Sequence, residues 1–372
     1  MNTTLRVDEP REILALVPYQ LGFRPTRSVV LVSLRGPARR VGLVVRADLD
    51  DVADPADGPG VCAVLASHLA DDGGTAAVLV VYTDRLTGPA DADPQVDRAL
   101  RGLRATTDVD TLDVWVVTPD AYFSPGCPDR TCCPERGRPV QDLDATQVGA
   151  QMVLAGVAVA PSREDLVRLP EVPADARARS QAAARRNRAR RAHLVGDAAT
   201  TAWRIEALAA WSECRAAQVA TPAGAPLPPV VLGRLQAALE DVRVRDAVLV
   251  SLVPGRDALA SLVVRDVAGQ DTSSAVGDAV AAVVDPVAGL RPGERARTDR
   301  AILEQVASHA SRRRRAPALT LLALLAWWHG DGARAASLLA LVDQADPSYR
   351  LASLLRRAVD AGMPPGWAAL GR

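Results

Sequence analysis

The sequence predicts an α/β domain, a mixed sheet with flanking helices, followed by an all-helical region ending in a tetratricopeptide-like hairpin. Three observations carry this reading. Short β-branched runs alternate with helical stretches through about residue 120, the pattern of a sheet sandwiched between helices. From Ala174 onward the chain reads as helix after helix. The charge divides as well: through Pro173 there are 17 Arg against 25 Asp and Glu, a net of −8, and the remainder is +8. We place the boundary there, giving domains 1–173 and 174–372, with the hairpin at about 317–360.

The first helix starts at Pro10, which suits a first turn, and shows Ile13, Leu14, Leu16, Val17 and Leu21 as an apolar stripe to about Gly22. Pro18 is expected to kink or shorten it. A Gly22-Phe23-Arg24-Pro25 corner leads into Ser28–Leu34, a run apolar enough for a strand buried on both faces. Arg35-Gly36-Pro37 turns it into a second strand, Val41–Ala47. The acidic, Pro/Gly-rich segment 48–60 reads as a loop, Val61–Leu69 as a helix and Ala76–Tyr82 as a buried strand. Pro94–Leu103 is a helix and Leu112–Val117 a strand, with Tyr122-Phe123 as a short edge strand. Cysteines cluster in a loop from Pro125 to Pro139; Asp144 is expected to cap a helix reaching Val157, and Ser162 with Asp165 starts another turn.

Leu169–Pro173 is a linker. Ala174–Val219 reads as helix throughout, Thr221–Pro229 as a Pro-rich connector, and Val230–Leu252 as one helix. Asp271–Arg300 reads as short helices and loops, and Ala301–Ala310 as helix. Three helices then follow: Leu319–Trp328, Ala333–Val342 and Ser348–Val359. The first two resemble one tetratricopeptide unit, and Ala323 and Ala335 are small enough for close approach. A single unit is not an array, so we read a hairpin packed on the preceding helices.

Hydrophobic residues make up 48% and charged residues 24% of the 372, ordinary for a globular protein, while aromatics are only 3%, so the core must be Ala, Val and Leu. Every basic residue is Arg, a bias we assign to genome composition. No signal peptide is visible. No apolar run approaches the ~18 residues of a membrane span, so no membrane association is expected. An odd number of cysteines without a secretion signal points to a reducing cytoplasm.

Three groups of residues are candidates for chemistry. Tyr19, Ser28, Arg46, Asp48 and Arg163 gather near the ends of the first two strands, where α/β sheets place ligands; Arg24 and Arg27 lie beside them. The bland alternative is a surface Arg46–Asp48 pair, with the Tyr19 hydroxyl anchoring the corner. Cys127, Cys132 and Cys133 offer three thiols, read as a structural loop, a redox or reactive thiol, or a zinc site. The spacing is irregular for zinc and no His is near in sequence, so no cofactor is predicted, with zinc held as the alternative. Arg179, Arg185, Arg186, Arg188, Arg190 and Arg191 make a basic helix that suits phosphate backbones or neighbouring acids, with no aromatic interleaved for base stacking. Walker, GxGxxG, GxSxG and HExxH signatures are all missing.

Three segments carry a family resemblance: VPYQLGFRPTRSVVLVSL with VVRADL, CPDRTCCPERGRPV with the following SRE, and LLALLAWWHGDGARAASLL with DPSYRLASLL. Together they resemble a family of functionally uncharacterised actinobacterial proteins with a domain of unknown function. The resemblance implies an actinobacterial, cytoplasmic protein and no particular activity. The leading expectation is therefore a binding or scaffold protein acting on a protein partner through its helical region, with Trp327, Trp328 and Trp367 as anchors if exposed. The alternatives are an enzyme or small-ligand sensor using the strand-end group or the cysteine loop, and nucleic-acid binding through the Arg177–Arg191 helix.

Overall fold

A strand of pure core material organises the first half of the chain. The computed structural model describes residues 9–86, 88, 91–109, 111–220, 225–265 and 270–369. It divides the chain into two compact units, one ending at Leu166 and one starting at Val167.

In the first unit, α1 (Pro10–Leu21) leads to β1 (Ser28–Arg35) and β2 (Arg40–Asp48), then α2 (Leu49–Val52), α3 (Gly58–Asp71) and β3 (Gly74–Tyr82). Next come α4 (Pro94–Thr106), β4 (Thr111–Val117), β5 (Ala121–Phe123), β6 (Arg138–Pro139), α5 (Gln147–Leu154) and α6 (Arg163–Leu166). The sheet is mixed and six-stranded, in the order β2-β1-β3-β4-β5-β6. β1 is antiparallel to both neighbours, whereas β3 and β4 run parallel through the α4 crossover. Val29, Val30, Leu31 and Val32 are almost fully buried, so both faces of the sheet are covered there. α3 packs with α4, and α1 with α5.

Two tight constraints fix the hairpin end of the sheet. Asp72, its side chain inaccessible, receives Arg35 Nε at 2.7 Å, a second bond from Arg35 Nη2, and the Leu43 N–H at 3.0 Å. Gly42 sits against this pair; a Cβ there would lie 2.3 Å from Asp72 Oδ2, so only glycine fits. At the opposite side of the unit the chain closes on its beginning. The Glu12 carboxylate accepts the N–H groups of Gln147 (3.2 Å) and Val148 (2.9 Å) at the start of α5. Arg24 N–H and Ala160 N–H are exchanged with Ala160 O and Gly22 O at 3.0 and 2.8 Å.

Several local expectations are corrected. α1 runs on through Pro18 and stops only at Gly22, whose φ of 76° is left-handed. Segment 48–60 is not simply a loop. It contains α2 and the start of α3, because Asp54 Oδ1 accepts the Ala56 and Asp57 N–H groups and Pro59 suits a first helical turn. β5 is paired on both sides, so Tyr122-Phe123 is no edge. The cap of α5 is Thr146, whose Oγ1 accepts the Gly149 N–H at 3.1 Å, not Asp144, and the helix stops at Leu154. Ser162 and Asp165 do start the expected turn: Ser162 Oγ accepts the Asp165 N–H at 3.2 Å and donates to Asp165 Oδ2 at 2.9 Å.

The second unit is helical in every named element: α7 (Ala174–Ala192), α8 (Asp197–Ala220), α9 (Pro229–Ala238), α10 (Val242–Leu252), α11 (Asp257–Val264), α12 (Gln270–Val284), α13 (Ala296–His309), α14 (Ala316–Trp328), α15 (Gly332–Ala345), α16 (Arg350–Asp360) and α17 (Gly366–Ala369). The stretch 174–219 is two helices, broken before Gly196 at φ 85°. Val230–Leu252 is likewise two, because Asp241 accepts the Arg243 and Val244 N–H groups and starts a new helix. A single helix, α12, occupies the first part of the region read as short helices and loops.

One core joins Trp211, Leu232, Ile302, Leu303, Leu322, Trp328 and Leu339. α14 is buried on nearly every side, and its Thr320 hydroxyl returns to Ala316 O at 2.8 Å. Ala323 and Ala335 are fully buried where α14 meets α15. Helix α7 turns Ala176, Ser180, Ala183 and Ala184 inward, and α9 answers with Gly233. A Cβ on Gly233 would stand 2.0 Å from Ser180 O. Gly233→Ala is therefore expected to cost about 1–3 kcal/mol as the two backbones are forced apart, read as a lowered urea midpoint; an unchanged midpoint would refute the close contact.

Candidate functional site

The strand-end crevice follows from the sheet order. The register aligns Ser28 with both Asp48 and Tyr82, and Tyr82 with Val117, so these residues form one edge of the sheet. The carboxyl ends of the parallel pair β3 and β4 open there into a cavity of about 600 Å³, a volume in the range of small-molecule sites. Leu14, Ala15, Pro18 and Tyr19 of α1 form one wall, and Tyr82, Thr83, Val117, Thr118 and Pro119 form the floor. Val140, Leu143 and Val159 add apolar surface, and Arg24, Arg27, Asp84 and Asp144 supply charge.

Two arginines here face three carboxylates. Arg24 Nη2 reaches Asp144 at 3.2 Å, both largely exposed. Arg27 Nη2 reaches Asp50 at 2.5 Å, and its Nη1 reaches Asp84 at 3.5 Å. The Asp50 hydrogen bond raises the Arg27 pKa, while bonds from Gln95 and then Arg27 hold the Asp50 carboxyl below its usual value. Arg27 has φ 42°, a left-handed conformation that costs a non-glycine residue about 1 kcal/mol or more. Its carbonyl accepts the Leu49 N–H at 2.9 Å, which helps hold it there. Burial pushes the Tyr82 phenol well above its usual value, and the nearby Arg24 charge pulls it back in part. Among the described residues neither Tyr82 nor Tyr19 has a hydrogen-bond partner for its hydroxyl.

The five residues singled out at these strand ends separate into two groups. Tyr19 lines the cavity. Ser28, Arg46, Asp48 and Arg163 come together beside it as a chain of contacts. Ser28 Oγ donates to Thr26 O at 2.7 Å and accepts Arg46 Nε at 2.9 Å; Arg46 Nη2 meets Asp48 at 2.5 Å, and Arg163 lies 3.6 Å from Asp48. Arg46 is mostly buried and directs Nε and Nη2 at these neighbours. Tyr82, Thr83, Asp84 and Thr118 were missed by the sequence reading; their signal was position, since each ends or follows a predicted strand.

The cysteine loop joins β5 to β6 and draws its thiols together. The sulfurs of Cys127, Cys132 and Cys133 all lie within 4.8 Å of one another, and Cys132 and Cys133 are 3.9 Å apart. Cys133 is fully buried; burial raises its thiol pKa to about 11, with the Ser124 N–H at 3.3 Å opposing. Cys62 and Cys214 are buried elsewhere, and all five thiols are free.

The basic helix α7 is largely neutralised within its own unit. Arg179 pairs with Asp175, Arg188 with Glu240, Arg190 with Glu206 and Arg191 with Asp241; Arg191 also lies over the Trp203 ring. Of the six arginines singled out there, Arg185 and Arg186 have no acid partner among the described residues. The tryptophan anchors are corrected: Trp327 and Trp328 are buried, with their indole N–H groups on Met363 O (2.8 Å) and Leu290 O (2.9 Å). Trp367 is half-buried and donates to Trp328 O.

The molecule thus belongs among proteins with a mixed α/β unit, a crevice at its strand ends and a separate helical unit. The family model described as Domain of unknown function (DUF4192) matches residues 10–276 and 272–366, and the chain belongs to that family. No curated protein and no solved structure matches it. Among the described residues, no helix is long and apolar enough to cross a membrane.

Proposed function

We propose that the first unit is a small-ligand binding module whose site is the crevice at the ends of β3 and β4. The observation that carries this is the cavity of about 600 Å³ with apolar walls and two tyrosines whose hydroxyls have no partner among the described residues. Both tyrosines line the crevice, where a ligand oxygen or nitrogen would take the place of water on their hydroxyls. Because Arg24 and Arg27 already face Asp144, Asp50 and Asp84, the ligand class that fits is a compact, largely apolar molecule that is neutral or zwitterionic. The five free cysteines support a reducing compartment, and we place the protein in the cytoplasm. With Trp327 and Trp328 buried, only the half-buried Trp367 of the three expected anchors reaches the surface of the helical unit.

The test is a screen of the full chain against a mixed metabolite library by ligand-observed NMR. Hits are expected to raise the melting temperature, to lose binding in Ala15→Phe, which fills the cavity from α1, and to weaken about fivefold in Tyr82→Phe, equivalent to one hydrogen bond of about 1 kcal/mol. Hits that bind a folded Ala15→Phe variant as well as the natural chain would place the site elsewhere.

A further inference from the structure

We propose that Cys127, Cys132 and Cys133 form a three-thiolate site for Zn²⁺ at the tip of the β5–β6 hairpin, with the fourth position open to solvent or to an added donor. Sulfurs bound to one tetrahedral zinc at ~2.3 Å lie roughly 3.8 Å apart. Here one pair stands at 3.9 Å and all three lie within 4.8 Å. Cys127 and Cys132 are only half-buried, which leaves their side chains room to turn toward a shared ion.

The convergence is built by the loop and does not follow from adjacency alone. Asp129 O accepts the Cys133 N–H at 2.8 Å, and Asp129 Oδ1 accepts the Thr131 N–H at 2.8 Å, which folds the segment back so that Cys127 meets the other two. Arg138 fastens the far side, donating from Nε to Cys132 O at 2.7 Å and from Nη2 to Thr131 O at 3.2 Å. The Ser124 N–H donates to Cys133 Sγ at 3.3 Å, the outer-shell contact that orients a metal ligand. Thiolates select soft or borderline ions such as zinc over hard cations. Three thiolates with one divalent ion carry a net charge of −1, and the Arg138 guanidinium is held against the same loop. Three protein ligands with a free position define an exchangeable or reactive site, in contrast to the four-ligand closed sites that only hold structure.

The test uses the full chain, reduced with a phosphine, stripped by chelator and titrated with Co²⁺ and then Zn²⁺. The expected result is one equivalent of Co²⁺ giving tetrahedral visible bands and sulfur-to-cobalt charge transfer, both abolished by one equivalent of Zn²⁺. Cys127→Ser and Cys132→Ser are each expected to weaken uptake by more than the ~10–100-fold that loss of an outer-shell partner costs. Their half-exposed positions spare the fold, and Cys62→Ser should leave uptake unchanged. Cobalt bound without sulfur charge transfer, or uptake that survives the Cys127→Ser/Cys132→Ser double variant, would overturn the proposal.

Discussion

Asp299→Ala is expected to destabilise the helical unit by about 3–5 kcal/mol, the cost of leaving a buried charge without its partner. Asp299 is 1% exposed and Arg215 8%. Arg215 donates to it from Nε at 2.6 Å and from Nη2 at 2.8 Å, donates to Ser251 O at 2.9 Å, and lies over the Trp211 ring. The remaining acid, Asp257, is half-exposed at 3.2 Å and is shared with Arg295. Burial nevertheless raises the Asp299 pKa against the pull of Arg215, so desolvation costs the carboxylate more than its partner returns. The double variant Arg215→Met/Asp299→Leu should therefore recover most of the loss, because an apolar pair of similar size avoids that desolvation. Urea unfolding of the three proteins checks this; a single variant within 1 kcal/mol of the natural chain would show that the guanidinium finds water.

Asp72→Asn is expected to cost about 3 kcal/mol at neutral pH, since it weakens two charged hydrogen bonds from Arg35 and one from the Leu43 N–H. Burial pushes the Asp72 pKa up, but the Arg35 and Leu43 bonds outweigh it and the net shift is downward. The sign follows from linkage. A carboxyl with a depressed folded pKa adds stability above its unfolded value of ~3.9, and that stability is lost as pH falls through the folded value. The gap between the natural chain and the variant should be flat at neutral pH and shrink below about pH 4. A gap that persists unchanged at pH 2 would mean that the effect is packing and not charge.

Much of the α/β unit was readable because its signals are local. Val29–Val32 and Ala77–Val81 are short apolar runs rich in β-branched residues, which favours a buried strand over a helix, and the Asp93 carboxylate before Pro94 caps the helix that begins there. The breaks in the helical unit were not readable. Asp241 resembles any acid inside a helical pattern until its carboxylate is seen holding the Arg243 and Val244 N–H groups and the Arg204 side chain. The cavity was half legible. Tyr19 announced itself beside the corner, but Tyr82 and Thr118 are distant in sequence and meet only because β3 and β4 run parallel. The thiol cluster depends on Asp129 and Arg138 folding one loop back on itself, which spacing alone does not encode.

The closure of α1 onto α5 sets an order of events during synthesis. Glu12 cannot cap α5, and Gly22 cannot meet Ala160, until about the last tenth of the unit has left the ribosome. At ~5–20 residues per second the interval between making Glu12 and making Val148 is roughly 7–30 s. Strands β1 to β4 have their pairing partners well before then, so the centre of the sheet can pair before α1 is closed off by α5. Over that interval the crevice lacks Val140, Leu143, Asp144 and Val159, which complete its lining opposite the residues of α1.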